Sequence, residues 1–241
     1  MDKVYFEKIN NKKIFCYFSE VQNTEKKLVI MAHGFRGSSE GPARQFVDFQ
    51  RLLNKEGFSV LRFDQPNCGN SDGDYLDVSY KEWVDTIAYF TKKYLDLGYK
   101  VSLMGQSMGA AAVIVATLRP EIKNKVPCIL LWVPGANDGD FNGSYDEVFE
   151  EGGQKYKGRF WKEAREADFF KCLKDYSGGI HVVYGEVDRY VSKPLREKVI
   201  KIVKGKGQPY MVLKGQDHSP WAYDLVQLVY KEELEILEKY S

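Results

Sequence analysis

Gly105-Gln106-Ser107-Met108-Gly109 sets a serine between two glycines, each two residues away. A short apolar run over residues 101–104 leads into it, and the Ala-rich stretch that follows has the composition of a helix. A strand, a tight turn and a helix in that order lift the serine hydroxyl out of the turn, the glycines removing the Cβ clashes of a sharp bend. The leading N–H groups of a helix have no intrahelical carbonyl to bond, so that of Met108 can serve a developing oxyanion. A serine so placed attacks an acyl carbonyl when a base takes its proton. The chain has three histidines. His181 falls inside an apolar strand-like run, where burial is its role, and His33 is read as fixing its own loop because the chemistry needs one base. His218 directly follows the last strand-like run and is the base this reading selects; Asp217 beside it cannot easily reach the far ring nitrogen and is expected to face solvent.

Together with the pattern of elements described next, these residues resemble the serine-nucleophile α/β-hydrolases over nearly the whole chain. The resemblance implies a catalytic triad in the order Ser107, Asp188, His218, with Asp188 as the carboxylate in the turn Gly185-Glu186-Val187-Asp188 and Glu186 as its nearest rival. It implies a second oxyanion N–H from Phe35, in the loop His33-Gly34-Phe35, and no metal or organic cofactor. In the loop at residues 63–73 the chain departs from the family's usual Gly-x-Gly turn. Asn67 and Cys68 stand there, and Asn67 can take the left-handed conformation the turn needs, while Cys68 is read as a loop thiol that could face the site. The His-Gly-Phe loop, the Ser71-Asp72-Gly73 turn and an aromatic insertion are most similar to small carboxylesterases of the cinnamoyl or feruloyl type. The implied activity is cleavage of carboxylic esters with small, medium-chain or aromatic acyl groups. A monoacylglycerol lipase, an acyl thioesterase and a hydrolase-fold ligand receptor are the alternatives.

The elements that must position these residues can be read from periodicity. Two strand-like runs at 3–9 and 12–19 flank Asn10-Asn11, a pair suited to a tight hairpin and an antiparallel edge. Continuous apolar runs at 28–32, 58–63, 101–104, 128–133 and 180–184 suit strands covered on both faces. Residues 210–213 form the last strand. Phe46, Phe49, Leu52 and Leu53 mark one helix; Ser79-Tyr80-Lys81-Glu82 is a capping box for a second, carrying Trp83, Ile87, Phe90 and Tyr94. Leu225, Leu228, Val229, Ile236, Leu237 and Tyr240 mark a final amphipathic helix. The alternation predicts an α/β fold: a mostly parallel eight-stranded sheet with an N-terminal antiparallel hairpin and helices on both faces. One domain spans 1–241, with a lid insertion at about 136–175 that carries Phe141, Tyr145, Phe149, Tyr156, Phe160 and Trp161. Of these, Phe141, Tyr145, Phe149, Phe160 and Trp161 are the expected substrate contacts.

Bulk properties narrow the partners. Lys+Arg 35 against Asp+Glu 34 leaves a net charge of +1, so no whole-molecule field gathers nucleic acid or an anionic membrane. Cys16, Cys68, Cys128 and Cys172 are dispersed, with no Cys-x-x-Cys pair, and read as free thiols. The N-terminal residues lack an apolar signal core and no run reaches the ~18 apolar residues of a membrane span. A cytoplasmic protein with a small-molecule ester substrate is expected, without stable membrane insertion and compatible with a homodimer.

Overall fold

In the computed structural model, which describes residues 1–22, 25–135 and 141–240, the chain opens on a hairpin of β1 (Asp2–Ile9) and β2 (Lys12–Ser19). Asn10 and Asn11 both have positive φ, 48° and 65°, the requirement of a two-residue turn whose twist matches its strands. Then come β3 (Lys27–Ala32), α1 (Gln45–Lys55), β4 (Ser59–Phe63), α2 (Tyr80–Asp96), β5 (Lys100–Gln106), α3 (Met108–Ala116) and β6 (Cys128–Trp132). A two-stranded hairpin of β7 (Val148–Glu151) and β8 (Gln154–Lys157) follows, with α4 (Arg159–Glu166) and α5 (Phe169–Asp175) behind it. β9 (Gly179–Gly185), α6 (Lys193–Gly205), β10 (Tyr210–Leu213) and α7 (Tyr223–Tyr240) complete the chain.

The eight-stranded sheet has the order β1-β2-β4-β3-β5-β6-β9-β10. Pairing is antiparallel at β1/β2 and β2/β4 and parallel from β4 to β10. Every residue of β4, β6 and β9 is buried, as continuous apolar strands covered on both faces require. From β3 the chain crosses to β4 on one side, and from β4 it crosses back past β3 to β5. Right-handed crossovers therefore put α1 on one face and α2 and α3 on the other. α7 joins α1: Phe49 stacks on Tyr230 at 4.8 Å between ring centroids, and both rings pack on Trp132 of β6. The reversal of strand order between β3 and β5 leaves a crevice at the carboxyl ends of those two strands, where ligands bind in such sheets.

Two expectations for the helices need correction. The buried face of α7 carries Val226, Val229, Tyr230, Glu233, Ile236 and Leu237, while Leu228 is 54% exposed; the core stripe is set by Tyr230 and Glu233 as much as by leucines. At α2, Ser79 does accept the Glu82 N–H, but the Glu82 carboxylate pairs with Lys12. Glu163 of α4 accepts hydrogen bonds from the Ser79 hydroxyl and the Lys81 N–H instead, which ties the segment between β6 and β9 to the N-terminus of α2. Residues 136–140 of the expected insertion lie outside the described residues. Among the described residues, no helix is long and apolar enough to cross a membrane.

Candidate active site

Ser107 joins β5 to α3 with φ 54° and ψ −123°, a conformation that side-chain-bearing residues adopt only when the surroundings impose it. Two contacts impose it. The Ser107 N–H donates to the Trp132 carbonyl of β6 at 2.8 Å, and the flanking glycines allow approaches that a side chain would block. A Cβ on Gly105 would lie 2.5 Å from the Ala110 Cα, and one on Gly109 would lie 2.3 Å from the His33 carbonyl oxygen. Neither glycine has a positive φ. They are required by close packing, with the left-handed turn carried by the serine itself. The Ser107 side chain makes no capping bond to α3, so its hydroxyl is not consumed by the helix.

Gly109 lets the start of α3 press against the end of β3, and this brings Met108 beside the loop at His33-Gly34-Phe35. His33 is buried and acts within that loop. Its Nε2 accepts the Gln65 N–H at 2.8 Å, which leaves Nδ1 as the protonated nitrogen, donating to the Gly34 carbonyl at 2.8 Å. Burial lowers its pKa, so the ring stays neutral and fixes the loop. The Gly34 N–H donates to Gln106 Oε1 at 3.1 Å, and Gln106 Nε2 donates to the Ser219 hydroxyl at 3.0 Å. Gln106 thereby links the loop after β3 to the loop that carries His218. The Phe35 ring is held among Tyr156, Phe160 and Trp161 at centroid distances of 4.7 to 5.0 Å.

His218 and Asp188 stand on the loops after β10 and β9. His218 Nδ1 lies 2.8 Å from Asp188 Oδ2, and the other Asp188 oxygen accepts the N–H groups of Tyr190 and Val191 at 2.8 and 2.9 Å. With both oxygens of the carboxylate used, the histidine carries its proton on Nδ1, which leaves Nε2 as the acceptor nitrogen. Buried Arg196 shapes the acid's loop, donating to the carbonyls of Glu186, Asp188 and Val191, each at 2.8 Å. Glu186 accepts the Gly215 N–H and does not reach His218. Asp217 does not reach the His218 ring; its side chain, 32% exposed, binds Arg189 and the His218 N–H.

A cavity of about 1040 Å³ gathers these parts. Ser107, His218, Phe35 and Met108 line it, and Asp188 stands behind His218. Tyr190 also lines it, its ring 5.2 Å from the His218 ring. Of the five aromatic residues expected to contact substrate, Phe141 and Trp161 are on the wall. The other three are not. Phe160 is fully buried against Tyr80 and Trp83 in the core. Phe149 packs behind Phe141 on Tyr156. Tyr145 is on the outer surface, 38% exposed, with its hydroxyl on Glu166. Spacing alone cannot tell a core ring from a wall ring in a segment without one period. The wall also includes groups that carried no sequence signal as site residues: Arg36, paired with Glu151 at 2.7 Å, and Gln154. Cys68 is buried off the wall, its thiol pushed up by burial, and Asn67 has φ 69° as the loop required. Among the described residues, no group of three or more His, Cys, Asp or Glu side chains is placed to hold a metal ion.

Residues 27–177 match the family described as alpha/beta hydrolase fold. No curated protein sequence matches the chain. Among solved structures, Est1E from Butyrivibrio proteoclasticus with ferulic acid bound is 22% identical, with a TM-score of 0.81 over 97% of this chain and 99% of that one. A soluble variant of the monoglyceride lipase of Saccharomyces cerevisiae, in complex with a substrate analog, is 15% identical, with a TM-score of 0.81 over 100% of this chain and 96% of that one. The monoacylglycerol lipase of Paleococcus ferrophilus is 19% identical, with a TM-score of 0.75 over 95% and 99%. At these identities the likeness is one of fold.

Proposed function

This chain belongs to the alpha/beta hydrolase fold family, and we propose from that premise that it hydrolyses carboxylic esters through an acyl-enzyme on Ser107. The observation that carries the proposal is the convergence of Ser107 and His218 on one cavity with His218 Nδ1 bonded to Asp188. His218 Nε2 takes the Ser107 proton as the oxygen attacks the acyl carbonyl, and Asp188 stabilises the resulting imidazolium. The N–H groups of Phe35 and Met108 receive the oxyanion. His218 then returns the proton to the departing alkoxide, the alcohol leaves, and water activated by the same ring releases the acid.

The segment over the cavity acts as a lid, with Phe141 and Trp161 binding the acyl group. The Arg36–Glu151 pair in the wall supports a short or aromatic acyl group over a long alkyl chain, since a charged pair is desolvated at a loss when alkyl surface is laid on it. Ferulic acid in Est1E agrees with that choice, while the two lipase neighbours favour a monoacylglycerol. The p-nitrophenyl acetate, butyrate and octanoate series, run beside methyl ferulate and a long-chain monoacylglycerol, separates them. The expected result is highest kcat/KM on acetate, butyrate or ferulate and loss of turnover in Ser107→Ala. Preference for octanoate and the monoacylglycerol would replace the acyl assignment, and undiminished turnover by Ser107→Ala would remove the mechanism.

A further inference from the structure

Asp217 is partly exposed, yet its carboxylate is bonded to the backbone of two different loops. Its Oδ1 accepts two backbone N–H groups, from Arg189 at 3.0 Å and from His218 at 2.7 Å, and its Oδ2 accepts Arg189 Nε at 2.5 Å. The two N–H groups belong to different loops: Arg189 directly follows Asp188, and His218 directly follows Asp217. Around this carboxylate the loops are pressed together. A Cβ on Gly185 would lie 2.1 Å from the Asp217 carbonyl oxygen, Val187 N–H donates to the Gln216 carbonyl at 2.9 Å, and Trp221 Nε1 donates to the Asp217 carbonyl at 3.1 Å. The backbone donors hold the Asp217 carboxyl below the usual carboxylate range, so the group is ionised through neutral pH.

We propose that Asp217 is a positioning residue that sets the separation of Asp188 and His218, with Arg189 as its counter-ion; this rests on the reading that Ser107, Asp188 and His218 act together. The reason is geometric. One rigid carboxylate bonded to the backbone beside the acid and to the backbone of the base fixes both main chains relative to one point, and charge-assisted bonds of this kind are short and directional. The side-chain bond between Asp188 and His218 then forms without a search through loop conformations. Asp217 does not line the cavity, so it acts on the chemical step and not on substrate binding.

The test compares Asp217→Ala, Asp217→Asn and Arg189→Ala with wild type and Ser107→Ala on p-nitrophenyl butyrate. Active sites are counted by titration with a fluorophosphonate, and melting temperatures are recorded. Asp217→Ala is expected to lower kcat per titrated site by roughly 10- to 100-fold, as small misplacements of reacting groups do, with KM within about twofold of wild type. A purely structural role would instead lower the melting temperature and the titrated fraction while leaving kcat per site intact. The acid limb of kcat/KM at low ionic strength gives a second signature. Among the described residues, Asp188 is bonded to the His218 ring and Asp217 to its N–H, Arg189 is bonded to Asp217, Arg196 to the Asp188 carbonyl, and the Tyr190 ring packs on the imidazole. Asp217→Asn removes the anion bonded to the His218 N–H and is expected to move the limb to lower pH. Arg189→Ala leaves that anion uncompensated and is expected to move it to higher pH. Wild-type kcat per titrated site in Asp217→Asn and Asp217→Ala, with Ser107→Ala inactive, would overturn the positioning role alone. Should Asp217→Ala fail to fold, shifts of the same sign in Asp217→Asn and Arg189→Ala would overturn it. Retained turnover in Ser107→Ala would overturn the proposed function and this role with it.

Discussion

Residue types and spacing marked Ser107 and His218, and the family resemblance separated Asp188 from Glu186. What could not be read at this scale were contacts made through the backbone. Sequence adjacency shows only that Asp217 cannot reach the ring of its neighbour; its bonds to that neighbour's N–H and to the loop after β9 are made through the backbone. Gln106 sits inside the serine motif, yet its two bonds go to Gly34 and Ser219, 72 and 113 residues away. The motif's glycines were legible as glycines, but the reason at Gly109 is the His33 carbonyl, a contact between elements. Gly109→Ala therefore tests the packing account. A Cβ 2.3 Å from backbone oxygen forces α3 off the end of β3, and overpacking of this kind costs about 1–3 kcal/mol. The variant is expected to melt several degrees lower and to lose most of its turnover, checked by thermal denaturation and p-nitrophenyl butyrate assay. A variant equal to wild type in both would refute it.

At the scale of elements, strands were legible because buried parallel strands are continuous apolar runs, and their bounds moved by only a residue or two. Helix faces were less so. The register of α7 depends on a buried acid: Glu233 is fully buried, accepts the Trp132 indole N–H at 2.7 Å and meets His181 of β9 at 3.3 Å. A charged residue on a core face is invisible to hydrophobic periodicity, since its partners come from β6 and β9. Burial alone would drive the proton off His181, but Glu232 and Glu233 overcome it and raise its pKa to about 9. Burial pushes the Glu233 carboxyl up, whereas the His181 ring holds Glu232 below the usual carboxylate range. A histidine whose folded pKa is raised contributes stability that is full below its unfolded pKa, near 6.5, and is lost as pH climbs through about 9. Urea denaturation is expected to show stability falling from pH 6.5 to 9 by on the order of 1–3 kcal/mol. His181→Gln is expected to be less stable at pH 6 and flatter across that window. A wild-type curve that is level from pH 6.5 to 9, or that rises, would contradict the ion-pair account.

For the whole molecule, the alternation of strands and helices carried the mostly parallel eight-stranded sheet and its hairpin edge, while the reversal of strand order between β3 and β5 came from the pairing itself. The segment between β6 and β9 was less legible. It has no single period, so the β7–β8 hairpin was not foreseen and core rings could not be told from wall rings. The structure makes that distinction testable with two neighbours in sequence. Phe160 is fully buried among Phe35, Tyr80 and Trp83, so Phe160→Ala is expected to destabilise by about 3–5 kcal/mol, read from denaturant midpoints. Trp161 lines the cavity, so Trp161→Ala is expected to raise KM for an aromatic ester severalfold with a smaller change in kcat. The reverse pattern, with Trp161→Ala unfolding and Phe160→Ala altering only KM, would mean that the rings had been assigned to the wrong sides.

The central claim is that Ser107 is a nucleophile activated in this cavity, and covalent labelling tests it most directly. The protein is treated with a fluorophosphonate probe, digested, and the modified peptide mapped, with turnover of p-nitrophenyl butyrate followed in the same sample. The account predicts one label per chain, on Ser107, and loss of turnover in proportion to labelling. Labelling at another residue, or full turnover after Ser107 is modified, would contradict it.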